Sequence, residues 1–327
     1  MQEMGTQIFR RNSNSLRYLN LVSIIIPNFN HSQFLNQRID SVLGQTYQNF
    51  EVVLLDDASL DNSREIINQY ANHPKVSHVV LNDRNSGSVF SQWFKGIALA
   101  KGNYVWIAES DDFCETDFLE KVMQVFDSDN ELGLVYTGSY SIDAIGNTLW
   151  TSPNTDSIDK WKGVDFINEK MVKGNAIYNA SMAVFNKKFI TKETDIIKSF
   201  SFCGDWLFWI LLAKNAKVAY VGKLLNYFRN HDKDLSGKSY QSGLYFKEYK
   251  ILLKELQDRN IISSKKMRHV LYLKLPLIAD QIYEPSLKAE ALASYKSELN
   301  WLECLSWKFE SAIWQRVKFR LNKFKEI

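Results

Sequence analysis

Through the first half of the chain, short continuous apolar runs alternate with stretches in which apolar residues recur at helical spacing. Leu21 to Ile26 is the first run, ended by Pro27, and Phe50 to Leu55, Val76 to Leu81 and Tyr104 to Ala108 repeat it. Runs of this length without polar alternation suit strands covered on both faces. Between them come helical patterns: one starting at His31 or Ser32 and carrying Phe34, Leu35, Ile39, Val42 and Leu43, one from Asp61 to Tyr70 with acids in its first turn, one from about Val89 to Ala100, and one carrying Phe118, Leu119, Val122, Val125 and Phe126. Strands alternating with helices predict an α/β class with a mostly parallel, Rossmann-like central sheet and right-handed crossovers.

Beyond Gly133 the pattern changes. Gly133 to Thr137 and Ser139 to Trp150 read as strands, Thr151 to Asp159 as a polar loop, Val164 to Met171 as a helix and Ala180 to Phe185 as a strand. Trp206 to Ala213 is apolar on every side, and Val218 to Val221 gives the last strand. From about Tyr240 onward only helical signals remain, broken at Pro276 and Pro285. The division this predicts is a loose leader over residues 1–20, an α/β domain over 21–235 and a helical C-terminal region over 236–327.

Composition narrows the class. With 45% hydrophobic and 24% charged residues the chain is an ordinary globular protein, which excludes a disordered one. A net charge of +3 is too slight to argue for a nucleic-acid partner. Cys114, Cys203 and Cys304 are far apart, with no metal-ligand spacing or disulfide framework, which fits a reducing cytoplasm. No apolar run reaches the roughly 18 residues a membrane span requires, and the N-terminus lacks the apolar core of a signal peptide. At the other end Trp314, Val317, Leu321 and Phe324 recur at helical spacing while Arg316, Arg320 and Lys323 take another face. Such a helix suits an anionic membrane surface, or packs on the domain with its basic side in water.

Chemistry concentrates where apolar strands run into acids. Asn103 to Phe113 reads NYVWIAESDDF, a buried-type strand leading straight to Glu109, Asp111 and Asp112. In open α/β sheets the carboxyl ends of strands are where ligands sit. Acids this close repel one another, so a hard cation or a network of donors is called for. The competing reading is a solvated helix start, since Glu115 and Asp117 follow. Asp56 and Asp57 close the second strand in the same way, and Asp205 stands just ahead of the apolar helix.

The run SIIIPNFNHSQFLNQRIDSVLGQTYQNFEVVLLDDASLDNS, followed by NSG, GNYVWIAESDDF and GDWLFW in that order, resembles the inverting family-two glycosyltransferases of the GT-A fold across about residues 21–231. The resemblance implies a nucleotide-diphosphate sugar donor, UDP-linked, a divalent cation (Mg2+ or Mn2+) and displacement at the anomeric carbon by a hydroxyl of a glycan or lipid-linked acceptor. It sets Pro27, Asn28 and Phe29 along the nucleoside. Asp57 becomes the acceptor for the uracil ring N–H, a task suited to a carboxylate because it is acceptor-only when ionised. Asn85 and Gly87 fall in the turn over ribose and diphosphate, Asp111 near ribose, and Asp112 on the metal, with His231 completing the metal site. The cation offsets the charge of the departing diphosphate, and Asp205 is the general base that takes the acceptor's proton. Two departures stand out: Glu109 where relatives often carry aspartate, and Gly204 where many carry glutamate before the base.

Each residue also has a plainer reading. Asp57 could cap a helix, with Asp61 the better candidate; Gly87 could serve only a turn; Asp205 could cap the helix beginning at Trp206. Trp206 and Trp209 read as core. Arg229, Lys233 and Lys238 either neutralise diphosphate or solvate their loop, and His31, His73, His78 and His269 form no ligand pattern. A sugar nucleotidyltransferase is disfavoured because no glycine-rich loop with Arg or Lys follows the first strand, and a dehydrogenase because the G-x-G-x-x-G turn is missing. A catalytically silent nucleotide-sugar binder would have no need of an acid at 205.

Overall fold

The structure, a computed structural model, describes residues 20–231 and 235–311. The expected alternation is present as β1 (Val22–Asn28), α1 (Ser32–Leu43), β2 (Phe50–Asp56), α2 (Ser63–Tyr70), β3 (Val76–Leu81), α3 (Val89–Leu99), β4 (Tyr104–Ile107), the two-residue β5 (Phe113–Cys114) and α4 (Phe118–Asp127). The first four strands pair in parallel in the order β3-β2-β1-β4. β1 and β2 are buried at every position, as continuous apolar runs must be when helices cover both faces of a sheet. Ile24, Leu35, Ile39, Val52, Trp106 and Phe118 join in one core beneath them. Because β1 lies between β2 and β4, the loops after all three strands open at the same edge.

The chain continues through β6 (Leu132–Ile142), β7 (Thr148–Thr151), β8 (Ile158–Lys162), α5 (Gly163–Phe166), β9 (Ala183–Asn186), α6 (Thr194–Lys198), α7 (Gly204–Ala213) and β10 (Lys217–Arg229). β9 runs antiparallel between β4 and β6, while β6 and β10 run parallel. Three sequence expectations change here. The two strands expected on either side of Gly138 are one strand, β6; Gly138 marks a close approach rather than a break, since a Cβ there would lie 2.9 Å from the carbonyl oxygen of Lys223. The expected polar loop ends in strand β8, which pairs antiparallel with β10 but is largely exposed and so carries no apolar alternation. The last strand does not end at Val221 but continues to Arg229, with register shifts between Val221 and Asn226 that keep it paired to β6. Those irregularities deliver the end of β10 to the acidic loop after β4.

Two compact units result. One contains residues up to Ile167 with Ala176–Ser199 and Phe208–His231; the other contains Asn168–Asn175, Phe200–Leu207 and the helices after His231. The expected boundary near residue 235 therefore meets a more interleaved arrangement, in which two earlier segments belong with the helices. The second unit holds α8 (Leu235–Gln241), α9 (Leu244–Asp258), α10 (Ser264–Gln281), α11 (Pro285–Lys296) and a helix over 301–311. Trp206 explains the interleaving: its ring stacks on Tyr249 at 4.9 Å and its indole N–H donates to the Met171 carbonyl at 2.9 Å. The leader and the amphipathic segment around Trp314 lie outside the described residues. Among those described, no helix is long and apolar enough to cross a membrane.

Candidate active site

At the ends of β1 and β2, Asn28 and Asp56 sit opposite each other in the strand register. Asn28 Nδ2 donates to Asp56 Oδ1 at 3.0 Å and to Ser59 Oγ at 3.1 Å, while Asp56 Oδ2 accepts from Arg64 Nε at 3.1 Å. These bonds stiffen the loop that follows Pro27. Phe29, the next residue, is 44% exposed, a large apolar face left in water at the strand end. Ala58 sits at φ 62°, a left-handed conformation that costs an alanine about 1–2 kcal/mol, so the Asp57–Ser59 turn is held by its surroundings rather than by preference.

Asp57 does not cap α2; Asp61 does the local work, accepting from the Ser63 N–H at 3.0 Å. Asp57 reaches instead toward the Asn85–Gly87 turn. Its Oδ1 accepts from Asn82 Nδ2, Gln92 Nε2 and the Ser86 N–H at 2.6, 2.8 and 2.9 Å, and its Oδ2 from Ser86 Oγ at 2.7 Å. Asn85 Nδ2 donates to the Asp57 carbonyl at 2.9 Å, and its Oδ1 accepts from the Gly87 N–H at 2.7 Å. Gly87 takes φ +73°, which explains glycine at that turn. The structure thus brings together Pro27, Asn28, Phe29, Asp57, Asn85 and Gly87, and adds Ser86 and Gln92.

The three acids after β4 have three different environments. Glu109 accepts from the Trp93 indole at 2.9 Å, and burial, then the charges of Asp111 and Asp112, push its carboxyl up to about 8. Asp112 is 1% exposed. Its Oδ2 accepts from Asn179 Nδ2 at 2.8 Å and Ser181 Oγ at 2.6 Å, its Oδ1 from the Arg229 N–H at 3.0 Å, and the buried Arg38 guanidinium stands 3.9 Å away. Burial and the neighbouring Asp111 charge raise its pKa, against the opposing pull of Arg38. Asp111 is more open: burial alone would raise its pKa, but a hydrogen bond from His231 and the charges of His31 and His231 hold it below the ordinary value.

His231 Nε2 lies 3.0 Å from Asp111 Oδ2, and His31 stacks edge-on against His231 at 5.4 Å. One ligand atom from each of His31, Asp111 and His231 falls within 4.8 Å of the others. The sequence reading sets Asp112 and His231 on the metal; the side chains that converge as a ligand set are Asp111 and His231 with His31, while both Asp112 oxygens are taken up by protein donors. His31 was given no role by the sequence. Its only signal is its place directly after the Asn28 to Asn30 loop. Arg229 is committed to structure: Nε donates to the Asp111 carbonyl at 2.8 Å, Nη1 to the Ala144 carbonyl at 3.0 Å and Nη2 to Gln37 at 2.8 Å. Lys238 is exposed, and Lys233 lies outside the described residues.

Asp205 belongs to the second unit and sits in the first turn of α7, one residue inside its start rather than at the cap. Asn175 Nδ2 donates to its Oδ2 at 3.2 Å. Burial, opposed by hydrogen bonds from the Trp206 backbone and Asn175, carries its pKa up to about 7. The helix start is served from elsewhere. Glu248 on α9 accepts the backbone N–H groups of Ser201, Phe202 and Cys203 at 2.7, 2.8 and 2.7 Å, fixing the loop that presents Asp205. No sequence signal links Glu248 to that loop. Trp206 and Trp209 are buried, as expected of core residues.

Comparison with known proteins adds three findings. A sequence model of the family described as Glycosyl transferase family 2 matches residues 23–194. The chain is 36% identical over 138 residues to the chondroitin synthase of Escherichia coli, covering 42% of this chain and 20% of that protein, and 29% identical over 243 residues to an uncharacterized glycosyltransferase of Haemophilus influenzae, covering 71% and 90%. It spans a fifth or less of the length of the chondroitin and hyaluronan synthases it matches. Among solved structures, S. aureus TarS 1-349 in complex with UDP-GlcNAc aligns with a TM-score of 0.55 at 17% identity, over 85% of this chain and 72% of that one, a likeness of fold.

Proposed function

Because the chain belongs to glycosyl transferase family 2 and has the GT-A architecture, we propose that it transfers a sugar from a nucleotide diphosphate, UDP in the first instance, to a hydroxyl of a saccharide acceptor, with inversion. The observation that carries this reading is the line of groups along one sheet edge. Phe29, Asp57 and the Asn85–Gly87 turn stand at the ends of β1 and β2, and His31, Asp111 and His231 gather at the end of β4, the other neighbour of β1. Such an edge is where a parallel sheet binds nucleotides.

In this reading Phe29 lies along the base and Asp57 accepts its ring N–H, in competition with the Ser86 hydroxyl now bonded there. His31, Asp111 and His231 would hold the cation. Two imidazoles with one carboxylate suit Mn2+ better than Mg2+, which prefers an all-oxygen set. When bound, the cation supplies positive charge beside the departing diphosphate. Asp205 takes the acceptor hydroxyl's proton as the new bond forms, a role for which a carboxyl poised near neutrality is suited. Titration of UDP with and without Mn2+ tests the donor side: binding is expected to tighten with Mn2+ and to weaken in Asp57→Ala. UDP affinity indifferent to both changes counts against the reading.

The acceptor is proposed to be carried on a lipid at an anionic membrane surface. The helix over 301–311 leaves Trp301, Leu302, Leu305 and Phe309 exposed, Trp301 at 73% and Phe309 at 75%, and these positions fall on one helical side. In liposome flotation the full chain is expected to rise with anionic vesicles and a chain ending before Trp301 to stay below. Equal flotation of the two removes the membrane from the proposal.

A further inference from the structure

The second unit contains a groove of about 480 Å³ along α10, lined by Lys173, Val270, Leu273, Lys274, Pro276 and Leu277, with Asp280. We propose that this groove binds the phosphate of a lipid-carried acceptor, Lys274 and Lys173 taking the anion and the aliphatic wall taking the first part of the lipid chain. The inference rests on Asp205 being the base and names the class of acceptor that base serves.

Lys274 is the reason to expect an anion. Its ammonium lies 5.1 Å from the ring centroid of Tyr249 and 5.6 Å from that of Tyr245, so two aromatic faces support it. Among the described residues no carboxylate forms an ion pair with it, and burial holds its pKa below the ordinary lysine value. A cation already partly stripped of water and held without a counter-ion gains more from an arriving anion than a surface lysine does, because the surrounding dielectric is lower. Lys173 is exposed beside the same groove, and two ammonium groups against the single carboxylate of Asp280 leave it net positive.

The walls decide what carries the anion. Val270, Leu273 and Leu277 recur at helical spacing on α10, and Pro276 joins them. A saccharide would leave its hydroxyls against these aliphatic groups without partners, whereas an alkyl chain buries apolar surface there. The groove is also tied to the base. Tyr249, which carries Lys274 on its face, stacks on Trp206, the residue after Asp205. Lys173 stands two residues before Asn175, which donates to Asp205. The groove residues and Asp205 belong to the same compact unit.

The test measures binding of octyl phosphate, octyl glucoside, inorganic phosphate and glucuronate to the full chain by titration calorimetry, below the micelle threshold. Octyl phosphate is expected to bind at least about tenfold more tightly than the other three, and Lys274→Met and Lys173→Met each to weaken it about tenfold, with UDP affinity unchanged. With a lipid-carried acceptor, Lys274→Met raises KM and leaves kcat near the native value. Equal binding of octyl phosphate and octyl glucoside, or native octyl phosphate affinity in both lysine variants, overturns the proposal. Glucuronate or inorganic phosphate binding as well as octyl phosphate overturns the lipid part and leaves no role for the aliphatic wall. Asp205→Asn is expected to bind octyl phosphate like the native chain, so a fault in the base assignment appears in turnover alone and is separable from a fault in the groove.

Discussion

Asp205→Asn is expected to lower kcat by about 10²–10⁴-fold, the usual contribution of a general base, while UDP binds as in the native chain. The substitution keeps the shape of the side chain and removes only its ability to take a proton. Native turnover should rise with pH about tenfold per unit below the pKa near 7 and level off above it, because in the proposed role the carboxylate takes a proton only when ionised. The groups facing it do not obscure that limb. Glu248 adds negative charge that favours the protonated form, and Cys203 stays neutral because burial and the two nearby acids push its thiol well above the ordinary range. The same shift has a consequence for stability. Between the ordinary value of 3.8 and about 7 the folded chain keeps a proton that the unfolded chain has released, so stability falls as pH rises through that window. Asn removes this dependence, so the variant should melt higher than the native chain above pH 7 while turning over far more slowly. A variant with native turnover, or with a pH–rate profile still rising through neutrality, ends the assignment of Asp205 as base.

Asp111→Asn and Asp112→Asn, adjacent in sequence, are expected to fail in different ways. Asp111 faces His231 and His31 and is the carboxylate of the candidate cation set. Its amide should weaken Mn2+ binding at least about tenfold, and His31→Ala should do the same, with little change in melting temperature. Asp112 is enclosed by Asn179, Ser181, the Arg229 N–H and Arg38. An amide there presents donors to donors and leaves the Arg38 guanidinium buried without its counter-charge. Loss of one partner from such a buried set costs roughly 3–5 kcal/mol, so Asp112→Asn should melt far lower, with any loss of activity following the loss of folded protein. Mn2+ affinity followed by electron paramagnetic resonance, beside thermal melts, separates the two. A stable Asp112→Asn that has lost Mn2+, together with an Asp111→Asn that keeps it, moves the cation to Asp112.

The acids illustrate how far a sequence reaches. Runs such as SIIIP and FEVVLLDD specify strands because burial on both faces demands unbroken apolar residues, and strand-end position alone marks Asp57, Asp111 and Asp112 as site candidates. What each carboxylate does is a matter of which donors surround it. Asn179 and Ser181 lie just ahead of β9, which pairs beside β4, and Arg229 reaches Asp112 from the irregular end of β10. Gly138 and the Ile158–Lys162 strand differ from the sequence pattern for a related reason: pairing partners, not local composition, make one part of a continuous strand and the other an edge.

By itself, then, the amino-acid order determined the α/β alternation, the family resemblance and the strand ends at which chemistry gathers, because those features depend on hydrophobic period and on neighbours within a few residues. Tertiary structure alone decided that His31 joins Asp111 and His231, that Asp112 is walled in by donors, that Glu248 fastens the loop before Asp205, and that Lys274 rests on tyrosine rings with no ion-paired carboxylate among the described residues. These are encounters between residues tens to hundreds of positions apart. Their energies arise from distance and desolvation, which have no value until the chain has folded.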